Sequence, residues 1–266
     1  MNGFDLIIQP DEDDPEAAEV LVDATIGSRN YRFLLDTGAA MTCISYDDYT
    51  STFESVGARD TTAAFSKSSQ ELVVVPSITL GSLSRRNFMV ARRPPHIQTG
   101  SNLIGMNLLK DHSLSFYFDK NRVEVDSKPG NETGNSSQEL ILGNKSHPNV
   151  NINFGELETR AVWDTGAGIT VVDTRFINSH PAFFQEAGTS TGTDSTGAMS
   201  STPMFVMQGA TIGGRRFAPT KVAAIDLAPI ITSTDIRMDL ILGYNLIKEA
   251  NWLFDFPRKK WSFLGS

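Results

Sequence analysis

Apolar and polar positions alternate through residues 20–26, with Val20, Val22, Ala24 and Ile26 on one side and Leu21, Asp23 and Thr25 on the other. A period of two predicts a strand with one buried face. Leu72 to Leu80 and Met204 to Ile212 read the same way, with Pro76 and Gly209 weakening each run. Helical signals are short and fall chiefly after Gly105 and Gly243. The expected fold class is all-β, built from short strands.

The pattern occurs twice. Glu19 to Gly27 leads, nine residues after the glycine, to Leu34-Leu35-Asp36-Thr37-Gly38-Ala39; Asn149 to Gly155 leads, again nine residues on, to Val162-Trp163-Asp164-Thr165-Gly166-Ala167. The offset is 128 residues. Downstream, Asn102-Leu103-Ile104-Gly105-Met106-Asn107-Leu108-Leu109-Lys110 answers to Ile241-Leu242-Gly243-Tyr244-Asn245-Leu246-Ile247-Lys248 at an offset of 138, so the second copy gains ten residues in between. Each copy closes on a hairpin pattern, Leu114 to Val125 and Trp252 to Leu264. The expected organisation is an acidic amino-terminal segment (1–17), a first lobe (18–126), a turn-rich linker (127–146) that cannot build a core, and a second lobe (147–266).

Composition narrows the possible partners. With 31 acidic and 23 basic residues the formal net charge is −8, a field that repels phosphate backbones and anionic lipids, so neither nucleic acid nor a membrane is expected as a partner. No apolar run reaches the roughly 18 to 20 residues that span a bilayer. Met1 to Asp5 lacks the basic patch and apolar run of a secretory signal, so a cytoplasmic location is expected unless such a segment has been removed. Cys43 is the only cysteine, which leaves no internal disulfide and no multi-thiolate metal site. His96, His112, His147 and His180 are scattered without ligand spacing and are expected at the surface or in loops. Asn131, Asn135 and Asn144 each begin an Asn-x-Ser/Thr triplet, a pattern that chance explains in so polar a linker.

Asp-Thr-Gly is the repeated chemistry. One such tripeptide turns up by chance in about one chain in fifteen of this length. Two, in register within a repeat and each preceded by two apolar residues, are a different matter. An apolar strand that hands an aspartate to a Thr-Gly turn sets a carboxylate at the end of a buried element, and glycine lets another backbone approach closely.

These two Asp-Thr-Gly-Ala turns, with their Ile-Gly and Leu-Gly blocks, resemble the aspartic peptidases of the pepsin and retroviral type. The retroviral pattern is nearer: Ala39 and Ala167 stand where retroviral-type enzymes carry alanine, and Asn102 to Leu109 is similar to their Gly-x-Asn-Leu-Leu helix. The resemblance spans residues 18–126 and 147–264. It implies two retropepsin-like β-barrel lobes related by a pseudo-twofold axis. It also implies a catalytic pair, Asp36 and Asp164, acting through one water on peptide bonds without metal or organic cofactor. Thr37 and Thr165 would interlock across the interface, and Gly38, Gly166, Ala39 and Ala167 would support the site. Like charges so close hold one proton between them over a range of acid pH, as is general for aspartic-protease dyads. Alanine after each glycine removes a hydroxyl donor that pepsins carry there, which moves the acidic limb of activity towards neutrality.

Two departures stand out. Retroviral enzymes pair an aspartate after Asp-Thr-Gly-Ala with an arginine after the later Ile-Gly; here those places hold Ala40 and Met106 in one lobe and Gly168 and Tyr244 in the other. Joint loss exchanges an ion pair for apolar packing at little cost. The covering flap is expected at Ser66, Lys67 and Ser68 and at Gly197, Ala198 and Met199, against a plainer reading of these as surface loops. Since one chain holds both halves, an active monomer is expected, acting on a peptide or protein. The alternatives are a weak or inactive peptide-binding or regulatory module on the same fold, which two surviving aspartates argue against, and a glycosidase, which would not need both carboxylates in identical turns.

Overall fold

The computed structural model describes residues 2–62, 67–97, 100–126, 137–143, 146–193, 198–234 and 237–265. The first lobe runs through β1 (Gly3–Asp5), β2 (Ile7–Pro10), β3 (Ala18–Ile26), β4 (Arg29–Leu35), β5 (Cys43–Ile44), β6 (Ser55–Thr62), β7 (Lys67–Leu80), β8 (Leu83–Arg92), β9 (Asn102–Ile104), the single-turn helix α1 (Met106–Leu109), β10 (Ser113–Tyr117) and β11 (Arg122–Val125). The second follows the same order: β12 (Gln138–Glu139), β13 (Ile141–Leu142), β14 (Pro148–Phe154), β15 (Leu157–Trp163), β16 (Thr170–Asp173), α2 (Thr174–Ser179), β17 (Phe184–Thr193), β18 (Met199–Met207), β19 (Ala210–Ile212), β20 (Arg215–Phe217), β21 (Thr220–Ile225), α3 (Ala228–Thr234), β22 (Leu240–Leu242), α4 (Tyr244–Ile247), β23 (Asn251–Asp255) and β24 (Lys260–Leu264). The fold is all-β with short helices, two lobes of the retropepsin-like kind. Among the described residues no helix is long and apolar enough to cross a membrane.

In β3 Val20, Val22, Ala24 and Ile26 are buried and Asp23 is exposed as the alternation predicts, but Leu21 on the other face is buried too, in a second cluster with Leu34, Cys43, Ala91 and Leu103. One sheet per lobe carries this pattern, ordered β2-β3-β4-β9-β5-β8-β7-β6 in the first lobe and β17-β18-β21-β16-β22-β15-β14-β19-β20 in the second, where β13 also pairs with β14. A third sheet, β1-β11-β10-β23-β24-β12, is shared by the lobes. Its central pairs Leu114 with Phe254 and Phe116 with Trp252 exchange under a shift of 138 positions, so the pseudo-twofold axis passes through the pair Ser115 and Leu253. The aromatic core straddles the axis: Trp163, which replaces Leu35 of the first lobe, packs its ring 4.8 Å from Phe116 and 4.6 Å from Phe254.

Several sequence expectations need correction. Within the expected amino-terminal segment (1–17) and linker (127–146), the described residues 3–5, 7–10, 138–139 and 141–142 are strands of the lobes, because β1 and β12 complete the shared sheet while β2 and β13 pair with β3 and β14. Strands of two to four residues are too short to show a period, and the unpaired edges of β11, β24, β3 and β14 are what order them. Register equates Ile7 with Ile141 at an offset of 134, against 128 at β3, so the acidic stretch 11–16 is a six-residue insertion in the first lobe. It is not wholly solvated either: Lys221 Nζ donates to Asp14 Oδ2 at 2.9 Å and Lys248 Nζ to Glu16 O at 3.1 Å, both across the lobes. β7 continues through Pro76, opposite which Asn87 turns left-handed (φ 49°), whereas Gly209 separates β18 from β19. The helices α2 and α3 carry no signal in the apolar pattern. His147 is buried rather than superficial, and His112 bonds Asp126 and Arg85.

Candidate active site

Each aspartate leaves the end of a strand and is gripped by its neighbour. β4 runs parallel to β9, and Asp36 N donates to Ile104 O at 2.9 Å; β15 runs parallel to β22, and Asp164 N donates to Leu242 O at 3.0 Å. The chain after each turn is tied to the same block, with Met106 N donating to Ala39 O at 2.8 Å and Tyr244 N to Ala167 O at 2.7 Å. The Ile-Gly and Leu-Gly blocks of the repeat are therefore the cradles of the two Asp-Thr-Gly turns.

Across the axis the threonines lock. Thr165 N donates to Thr37 Oγ1 at 3.1 Å and Thr37 N to Thr165 Oγ1 at 3.3 Å, while Thr37 Oγ1 donates to Trp163 O at 2.9 Å and Thr165 Oγ1 to Leu35 O at 2.5 Å. Both are fully buried, so a donor deprived of its partner would find no water. This lock brings the two aspartates face to face, so that Gly38 N donates across the axis to Asp164 Oδ1 at 3.0 Å and the Asp164 charge acts on the Asp36 carboxyl. Glycine is needed in both turns for space: a Cβ at Gly38 would overlap the Asp164 carboxylate, and one at Gly166 would sit 2.5 Å from Asp36 Cγ.

The pair is electrostatically uneven. Asp164 Oδ1 accepts from Gly166 N at 2.8 Å and from Gly38 N at 3.0 Å. Burial pushes both carboxyls above the usual range and the neighbouring Asp164 charge drives Asp36 higher still, while backbone amides partly offset the effect at each, from Ala39 and Gly38 at Asp36 and from Gly166 and Gly38 at Asp164. The two carboxyls therefore titrate as one unit that holds a shared proton to higher pH than a free carboxyl would. Ala39 and Ala167 lie half-buried beside the turns and offer no hydroxyl.

A second, deeper support was missed in the sequence. Asn107 Oδ1 accepts from Thr42 N (2.8 Å) and Thr42 Oγ1 (2.9 Å), and Asn245 Oδ1 accepts from Thr170 N (2.7 Å) and Thr170 Oγ1 (2.9 Å). The threonine oxygens in turn accept from Gly105 N and Gly243 N. A threonine six residues after each aspartate, matched with the asparagine of each Gly-x-Asn-Leu block, was the available signal.

Ala40, Met106, Gly168 and Tyr244 occupy the places of the missing ion pairs. Met106 is fully buried, and the half-buried Tyr244 ring lies 6.2 Å from Phe118. Of the flap positions, Ser66 and Gly197 lie outside the described residues. Lys67 and Ser68 begin β7, where they pair with Thr62 and Thr61, and Met199 begins β18 opposite Thr193, immediately after Ala198. These are arms of antiparallel hairpins rather than irregular loops, and the two are equivalent in register. Among the described residues no group of three His, Cys, Asp or Glu side chains converges as metal ligands. A hollow of about 950 Å³ between β15, α2 and α3, lined by Phe176, Ile231 and Arg237 among others, touches neither aspartate.

No curated protein matches the chain. Residues 22–111, which run from β3 through α1 and include Asp36 with its cradle, match the family model described as "gag-polyprotein putative aspartyl protease". The first lobe thus carries a retropepsin-type aspartyl protease unit, and the second lobe repeats its architecture.

Proposed function

We propose that the chain is an active endopeptidase whose catalytic pair is Asp36 and Asp164, and that one chain suffices. The observation that carries this reading is the Thr37–Thr165 lock, which holds two carboxyl groups from different lobes side by side as one coupled pair. In the proposed reaction Asp164 takes a proton from a water as its oxygen attacks the peptide carbonyl carbon. Asp36 donates a hydrogen bond to the carbonyl oxygen and stabilises the charge that develops there. Collapse of the tetrahedral intermediate breaks the C–N bond, and the leaving nitrogen receives the proton gathered by the pair. The two hairpins β6–β7 and β17–β18 are the proposed covers over the bound peptide. Incubation with a random peptide library tests this: wild type should release new amino termini, and Asp36→Asn and Asp164→Asn should not. Equal cleavage by either variant would sink the mechanism.

A further inference from the structure

The face of the first lobe on which Asp36 emerges is charged in a way that its second-lobe counterpart is not. By strand alternation Leu34 shares a side with Asp36, while Leu35 points into the main core. Leu34 packs with Cys43, Ala91 and Leu103, and Ala39 lies against them. Two residues beyond Ala91 comes Arg93, whose amide donates to Ile44 O at 2.9 Å. Its side chain is only 3% exposed. Nη1 donates to Ser101 O at 2.6 Å, and Nη2 to Ser45 Oγ at 2.8 Å and Gly100 O at 3.1 Å, whereas Nε has no partner among the described residues. Nor does any described carboxylate lie within ion-pair distance of it. Its neighbour Arg92, by contrast, is paired with Glu71 at 2.7 Å.

A second guanidinium joins this one. Arg59 of β6 lies opposite Gln70 of β7, and Gln70 Nε2 donates to Cys43 Sγ at 3.5 Å, so Arg59 and Gln70 face the same cluster. Arg59 is half-buried and, among the described residues, likewise has no carboxylate partner. The Cys43 thiol, pushed up by burial, feels Arg93 and Arg59 as well as Asp36, so all three charges share one neighbourhood. Register supplies the control: Cys43, Gln70, Arg59 and Arg93 correspond to Val171, Thr202, Ser190 and Ile225. There Val162, Leu227 and Met238 pack with Val171, Ile225 and Ile241, and the face is apolar. A buried cation without a counter-charge is costly, and a carboxylate brought by a ligand relieves that cost.

Resting on the peptidase reading, we propose that Arg59 and Arg93 form a cationic subsite that selects a glutamate or aspartate side chain of the substrate on the first-lobe side, opposite an apolar side chain on the second-lobe side. The net charge of −8 repels acidic peptides in general, so the preference belongs to one position and not to acidity overall. Matched peptides with Glu, Gln or Leu at each position around the scissile bond, assayed where glutamate is ionised, test the idea. At one position Glu should exceed Gln in kcat/KM by roughly 10- to 100-fold, the range of a charge-assisted hydrogen bond. Arg59→Gln, on a half-exposed hairpin arm, should bring that ratio close to one, and Arg93→Gln should do the same if it folds. Cleavage of apolar peptides with no Glu preference at any position, or a ratio unchanged in Arg59→Gln, overturns the subsite alone. Failure of wild type to cleave any peptide overturns the peptidase reading, and the subsite with it.

Discussion

At the scale of single residues, the unequal burial and bonding of Asp36 and Asp164 govern both activity and stability. Asp36→Asn should lower kcat by about 100- to 10,000-fold, the usual range for a positioned acid or base, as measured on any peptide that wild type cleaves. The same substitution has an opposite effect on stability. Because the folded carboxyl of Asp36 holds its proton to higher pH than the unfolded chain does, its support for folding is full below the unfolded pKa and is lost as pH rises through the folded one. At pH 7 folding must therefore return to the pair a proton that the unfolded chain has released, a cost that an asparagine does not carry, and Asp36→Asn should melt higher than wild type there. At pH 3 the advantage should vanish; a melting difference that does not depend on pH would contradict this account. Ala39→Ser adds a hydroxyl beside the pair, and by favouring the ionised form should move the acidic limb of the pH–rate profile downwards.

At the scale of elements, the crossed braces of the site were only half legible. The two Asp-Thr-Gly turns and the Gly-x-Asn-Leu blocks stand out because their spacing repeats, and the parallel pairs β4–β9 and β15–β22 explain why the spacing must hold. Thr42 and Thr170 were overlooked because a buried threonine just before or at the start of a short strand reads as any turn residue until its asparagine is found 65 or 75 positions away. The strands β1, β2, β12 and β13 escaped for a different reason: an edge strand is ordered by the ladder it joins and not by its own alternation. The helix α3 was hidden in the ten-residue excess of the second lobe, six residues of which fall between β21 and β22 and four before Ala223. Asn245→Ala tests the brace. It removes the acceptor of Thr170 N and Oγ1 and the donor to Lys221 O at 2.8 Å, leaving buried groups unpaired at a cost of about 1–3 kcal/mol. The denaturation midpoint should fall accordingly; a shift under about 0.5 kcal/mol would mean that the loop repacks without it.

At the scale of the whole molecule, the shared sheet and a main core drawn from both lobes make them one body. Specific activity should therefore stay constant on dilution while light scattering reports one chain; a steep fall with a change in mass would mean that the working site forms between chains. The structure also fixes where the chain can be divided. A second-lobe fragment must begin before Gln138, since one starting at residue 140 would lack β12. Fragments 1–130 and 137–266 should each be inactive and regain activity on mixing. The central strand has a further consequence during synthesis. β10 is made more than a hundred residues before β23, so a half-finished chain carries an open strand edge with Leu114 and Phe116 beside it. That edge is close to its own complement about Ser115, and two nascent halves can zip together before either meets its proper partner. The isolated first-lobe fragment should accordingly sediment as a dimer. Lysine in place of Ser115, on the axis where two such edges meet, should return it to single chains.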